Sequence, residues 1–117
     1  MENIVEFKDW EKLDLRVGQI LKVEDIEGAD KLYKLTVEVG SEIGEKVVCA
    51  GLKSYYSKEE LLNKKIILFV NLAPRKLRGI ESQGMVLASV SADKKQVKLI
   101  KPDEDVEVGS KIRWLTT

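Results

Sequence analysis

Arg75, Lys76 and Arg78 fall within four residues of one another, inside the segment Asn71-Leu72-Ala73-Pro74-Arg75-Lys76-Leu77-Arg78-Gly79-Ile80-Glu81-Ser82-Gln83-Gly84-Met85. Two guanidinium groups and an ammonium at that spacing can grip phosphate oxygens, the forks through paired hydrogen bonds and the lysine as a point charge. Asn71, Ser82 and Gln83 rim the cluster and add neutral hydrogen-bonding groups suited to base edges and ribose hydroxyls. A solvated basic loop is the plain alternative. Against it stands the setting: residues 61–80 hold five cations and no acid, in a chain that carries 20 acidic side chains elsewhere.

Much other chemistry is excluded by composition. The 117 residues contain no histidine and one cysteine, Cys49, so neither an internal disulfide nor a Cys/His zinc finger can be assembled. Ser-His-Asp and Cys-His catalysis fall for the same reason. No enzyme, cofactor or metal is expected. Cys49 lies in an apolar run and reads as a small core residue.

The formal net charge is zero, with 20 basic and 20 acidic residues, but it is unevenly placed. Residues 1–60 hold 9 basic and 14 acidic side chains, a net of −5; residues 61–80 carry +5; residues 81–117 balance at six of each. The longest apolar run, Ile66–Val70, is far short of the roughly 20 residues of a membrane span. The acidic N-terminus shows no secretory signal, which leaves the cytoplasm as the expected location and no membrane partner.

The elements that must position the basic segment are mostly of period two. Leu15, Val17, Leu21 and Val23 alternate with Arg16, Gly18, Lys22 and Glu24, a long first strand with a bulge or bend expected at Gly18. Tyr33, Leu35, Val37 and Val39 mark a second strand, and Glu45–Ala50 returns from the turn Gly40–Gly44 as a third. Ser57-Lys58-Glu59-Glu60 is a capping box opening a short helix with Leu61 and Leu62 on its apolar face. Lys64–Asn71 and Gly84–Val90 give strands four and five, joined by a loop that Pro74 and Gly79 punctuate. Five strands with one short helix between the third and fourth is the order of an all-β OB-fold barrel. Strand-like pieces follow at Val97–Ile100, Val106–Val108 and Lys111–Leu115. No linker interrupts the chain, so a single domain over 1–117 is expected, its barrel spanning about 13–90 and a C-terminal extension about 95–117.

The chain closely resembles the tRNA-binding domain found at the C-terminus of many methionyl-tRNA synthetases and in free-standing tRNA-binding proteins. The matching residues are Asp14-Leu15-Arg16-Val17-Gly18, Ala29-Asp30-Lys31-Leu32-Tyr33, Gly51-Leu52 with Tyr55-Tyr56-Ser57, and all of 71–85, so the resemblance covers about residues 7 to 113. It departs at Ile26-Glu27-Gly28, where many members carry His-Pro-Asn, and at Ala50, where many carry serine. The resemblance implies an OB-fold that binds tRNA as a structure, with Asn71, Arg75, Lys76, Arg78, Ser82, Gln83 and Met85 on the tRNA-facing side. Within that set, Arg75, Lys76 and Arg78 would meet phosphates, Ser82 and Gln83 ribose or bases, and Met85 would support the loop from within. Lys31 and Lys34 would extend the basic surface along the second strand. The partners implied are tRNA and the catalytic subunit of a methionyl-tRNA synthetase. A related family of export chaperones shares the barrel and gives the rival expectation, peptide binding.

Two further expectations concern the rest of the molecule. Of the seven aromatics, Tyr33 and Phe69 should pack inside and Tyr55 and Tyr56 should seal the barrel end, which leaves electrostatics rather than base stacking as the grip on RNA. Val97, Leu99, Ile112, Trp114 and Leu115 exceed what a closed barrel needs, and relatives with this tail pair as homodimers. They are the expected dimer interface.

Overall fold

The computed structural model describes residues 3–115. Alternation in β1 (Leu15–Asp25) and β2 (Tyr33–Glu38) and short apolar runs in β3 (Glu45–Ala50) and β4 (Lys65–Phe69) set the four long strands. With β7 (Met85–Val86) they form an antiparallel sheet in the order β3-β2-β1-β4-β7. This sheet curls into a nearly closed five-stranded barrel, the all-β OB architecture that the element order predicts. A four-residue helix, α1 (Phe7–Trp10), precedes it, and α2 (Lys58–Leu61) lies between β3 and β4. α2 starts on the expected capping box: the Ser57 hydroxyl accepts from the Glu60 N–H while the Glu60 carboxylate accepts from the Ser57 N–H. No helix among the described residues is long and apolar enough to cross a membrane.

β1 serves two sheet edges, but its bulge is not at Gly18. The register slips between Ile20 and Lys22, leaving Leu21 as the extra residue. Gly18 is required for another reason: a Cβ there would stand 2.6 Å from the Val37 Cγ1 where the bent strand crosses β2. Leu15–Gln19 pair with β4 and Gln19–Asp25 with β2, so the change of partner falls just before the bulge.

The bend divides the apolar residues into three clusters. Ile20, Leu35, Val37, Val48, Ile66 and Leu68 fill the barrel. Tyr33 joins them, its hydroxyl donating to the Tyr56 carbonyl at 2.9 Å, while the Tyr56 hydroxyl accepts from the Leu99 N–H at 3.0 Å. Leu15, Val17 and Ile67 point outward from β1 and β4 and are covered by Trp10 and Ile112. That second cluster explains the continuous apolar centre of β4, which is buried on both faces. The third cluster lies outside β2 and β3 and is described with the site below.

The C-terminal segment is less strand-like than its alternation predicts. β8 (Ala88–Val90) pairs with β9 (Val97–Leu99) as a separate hairpin, and Val106–Val108 forms no strand. Of Lys111–Leu115 only Lys111 bridges to Arg16. Residues 109–112 nevertheless run along the free edge of β1: Gly109 N–H donates to Val17 O at 2.8 Å, Val17 N–H to Ser110 O at 2.9 Å and Ile112 N–H to Leu15 O at 2.8 Å.

Candidate nucleic-acid interface

The segment 71–85 is not an open loop. Arg75–Leu77 (β5) and Ile80–Ser82 (β6) pair as a hairpin whose two turn residues, Arg78 and Gly79, both have positive φ, at 54° and 82°. That is the type I′ pattern, whose twist matches the flanking strands. Side chains alternate across it. Leu77 and Ile80 turn toward the barrel and pack on Ile26, Ala29 and Cys49, the third apolar cluster. Lys76 and Glu81 share the opposite face. The signal for this element is present in the sequence as Leu77-Arg78-Gly79-Ile80, a two-residue turn between apolar residues, but Pro74 and Gly79 read more strongly as loop punctuation.

The stem of the hairpin closes the barrel. Gln83 N–H donates to Val47 O at 2.7 Å, and Val47 N–H returns to the Gln83 Oε1 at 2.9 Å. Cys49 N–H donates to the Ser82 hydroxyl at 3.0 Å, and that hydroxyl donates to Gly84 O at 3.1 Å. A Cβ on Gly84 would stand 2.6 Å from Phe69 O, so only glycine lets the seam approach β4 this closely.

These contacts redistribute the roles of the expected site residues. Ser82 is 3% exposed with its hydroxyl engaged on both sides, so it fixes the seam instead of facing a ribose. Gln83 is half-buried and spends its carbonyl on the same seam. Asn71 braces the chain before β1: its Oδ1 accepts from Asp14 N–H at 2.8 Å and its Nδ2 donates to Lys12 O at 2.7 Å. Met85 packs half-buried against the barrel core and backs the loop from within. Arg75, Lys76 and Arg78 are exposed.

The structure brings two more expected residues to the hairpin. Arg78 and Lys31 line one depression of about 310 Å³ with Ala29, Asp30 and Leu32. Lys34, the cross-strand partner of Cys49, stands half-buried on the same outer face of β2. Burial pushes the Cys49 thiol pKa up, and the Lys34 charge opposes that shift. Arg75, Lys76, Arg78, Lys31 and Lys34 form no ion pair among the described residues. Their separation from acid along the chain is not kept in space, however. Glu81 sits across from Lys76, and Asp30 shares the depression with Arg78. The result is a basic ridge edged by carboxylates, on the β2–β3 face and adjoining loops that OB-folds use for nucleic acids.

The residues expected at a dimer interface divide. Val97 and Leu99 pack half-buried against the barrel core, and Ile112 covers the second cluster. Their apolar surface is spent within the chain. Trp114 and Leu115 are exposed at 50% and 89%, and Trp114 meets Phe7 edge to face with ring centroids 4.4 Å apart.

Similarity to known proteins points the same way. The family model described as "Putative tRNA binding domain" matches residues 15–111. Methionine–tRNA ligase of Pyrococcus horikoshii is 52% identical over 109 residues, which are 93% of this chain and 14% of that enzyme. The chain thus spans about a seventh of the length of the curated relatives it matches, and shares with them a binding module and not their catalytic part. Among solved structures, the MetRS-related protein of Pyrococcus horikoshii superposes with a TM-score of 0.87 at 36% identity, covering 95% of this chain and 99% of that one. The CsaA chaperone protein of Picrophilus torridus superposes at 0.84 with 40% identity, covering 94% and 100%. This chain belongs to the tRNA-binding domain family.

Proposed function

We propose that the chain is a non-catalytic module that binds tRNA as a folded structure in the cytoplasm. It serves methionyl-tRNA synthetase as a separate small subunit or C-terminal module, or acts as a free tRNA-binding protein. The observation that carries this reading is the β5–β6 hairpin, which holds Arg75, Lys76 and Arg78 exposed and without an ion pair among the described residues, with Arg78 beside Lys31 on the outer β2–β3 face. A rigid hairpin pinned by Leu77 and Ile80 presents its cations at fixed spacing, which suits the fixed phosphates of a folded RNA better than a mobile strand.

The chaperone reading shares the barrel, so the fold alone does not separate the two. The basic hairpin and the synthetase relatives favour RNA. Titrating the protein into labelled tRNA across salt concentrations tests the choice. With about five phosphates contacted, affinity should fall roughly one hundred- to five hundredfold between 50 and 200 mM salt. Binding to folded tRNA no tighter than to a random single strand would overturn structural recognition. Salt-insensitive binding of an unfolded peptide, without tRNA binding, would favour the chaperone.

A further inference from the structure

We infer that the RNA-facing surface continues past Arg78 and Lys31 to Lys53 and Lys58. Asp25 holds these two lysines in the free protein and yields them to RNA phosphates on binding. The inference rests on the tRNA-binding reading and extends its surface.

The residues are linked step by step. Arg78 and Lys31 line one depression. Lys53 N–H donates to Lys31 O at 3.2 Å, which sets the β3–α2 connection against the β1–β2 loop. The Lys53 Nζ then reaches Asp25 Oδ1 at 2.9 Å, and the Lys58 Nζ reaches Asp25 Oδ2 at 2.7 Å. Asp25 is the last residue of β1 and shares the face of its partner Tyr33, on the other side of β2 from Lys34. One carboxylate thus occupies two ammonium groups, and the backbone contact of Lys53 with Lys31 joins them to the basic ridge.

The chemistry suits an exchange. Asp25 is held ionised, its pKa pushed down by hydrogen bonds first from Lys58 and then from Lys53. Its side chain is half exposed, and both lysines remain partly exposed as well. Ion pairs this open to water are weak, so a phosphate can take the place of the carboxylate. Each lysine then gains an acceptor on the ligand, while Asp25 returns to solvent. The carboxylate acts as a threshold: an isolated polyanion meets a partly compensated triad, and an RNA already seated on the hairpin supplies the phosphates that displace it.

Fluorescence anisotropy with a labelled, folded tRNA at several salt concentrations tests this on the full chain. Asp25→Asn should tighten binding about three- to tenfold at 100 mM salt. Lys53→Ala/Lys58→Ala should weaken it roughly tenfold and lower the slope of log affinity on log salt by about one to two. In that double-variant background Asp25→Asn should have no further effect. All three side chains are exposed or half-buried at the surface, and a thermal melt of each variant confirms its fold. An Asp25→Asn variant that binds more weakly or unchanged would overturn the inference. So would unchanged affinity and slope in the lysine variant while Arg78→Ala still weakens binding, a result that leaves the tRNA reading standing. Failure of the unmodified chain to prefer tRNA would remove that reading and the inference with it.

Discussion

Arg78 occupies a backbone position that favours asparagine or glycine. Its φ of 54° at the first turn residue places a long side chain in the left-handed region, which costs an L-residue energy that asparagine partly recovers by local hydrogen bonding. A guanidinium retained at such a position is consistent with use by a ligand. Arg78→Asn should therefore raise stability by about 0.5–1 kcal/mol in urea unfolding and weaken tRNA binding roughly five- to tenfold. The loss should be the same for all tRNAs, since a phosphate contact carries no sequence information. Ser82→Ala should behave oppositely. It leaves the buried Cys49 N–H without its acceptor, costing about 1–3 kcal/mol, and should leave the salt slope of tRNA binding unchanged. If both variants moved affinity without moving stability, the division between ridge and seam would be wrong.

At the scale of elements, the hairpin depends on tertiary contact. Three residues a side is too short for independent stability, so Leu77 and Ile80 must supply it by covering Ile26, Ala29 and Cys49. Leu77→Ala should loosen the hairpin by about 1–2 kcal/mol while the barrel keeps its melting transition. Since Cys49 is fully buried beneath it, labelling by a thiol reagent reports the opening and should speed up roughly tenfold; an unchanged rate would mean that Leu77 does not hold the hairpin down. The same dependence explains what the sequence makes legible. β1 and β2 can be read because six or more alternating positions face one buried side, β3 and β4 because each is a short apolar run, and α2 because Ser57 and Glu60 announce its cap. The basic cluster Arg75, Lys76 and Arg78 is legible from charge alone. The duties of Ser82, Gln83 and Asn71 are not, because a hydroxyl or carboxamide that serves a distant backbone has the same local pattern as one that faces a ligand. Likewise α1 is four residues without a side-chain cap, and the segment at 106–108 alternates without a partner strand to use the pattern.

For the whole molecule, a net charge of zero does not describe the field that a ligand meets. Three of the five cations of residues 61–80 stand exposed on the hairpin while Lys65 is engaged by Asp105, and the −5 of the first 60 residues is spread, so the attraction for RNA is confined to the hairpin side. One small ridge of this kind supplies few phosphate contacts, and a second copy would double them. The surface left for pairing is the strip around the contact of Phe7 with Trp114: both are exposed, as are Ile4, Val5 and Leu115 in the adjoining segments, whereas Val97, Leu99 and Ile112 are engaged internally. We expect a homodimer through this strip, which would present two basic hairpins on one particle. Leu115 offers the cleanest probe because it is 89% exposed and contributes little to its own fold. Leu115→Lys should convert the dimer to monomer in sedimentation equilibrium at micromolar concentration, with the unfolding of the separated subunit unchanged. If one tRNA spans both hairpins, the monomer should also lose roughly tenfold or more in apparent affinity, because the second contact no longer forms intramolecularly. A chain that is monomeric before substitution at those concentrations would place the whole affinity on a single hairpin and rule out the paired arrangement.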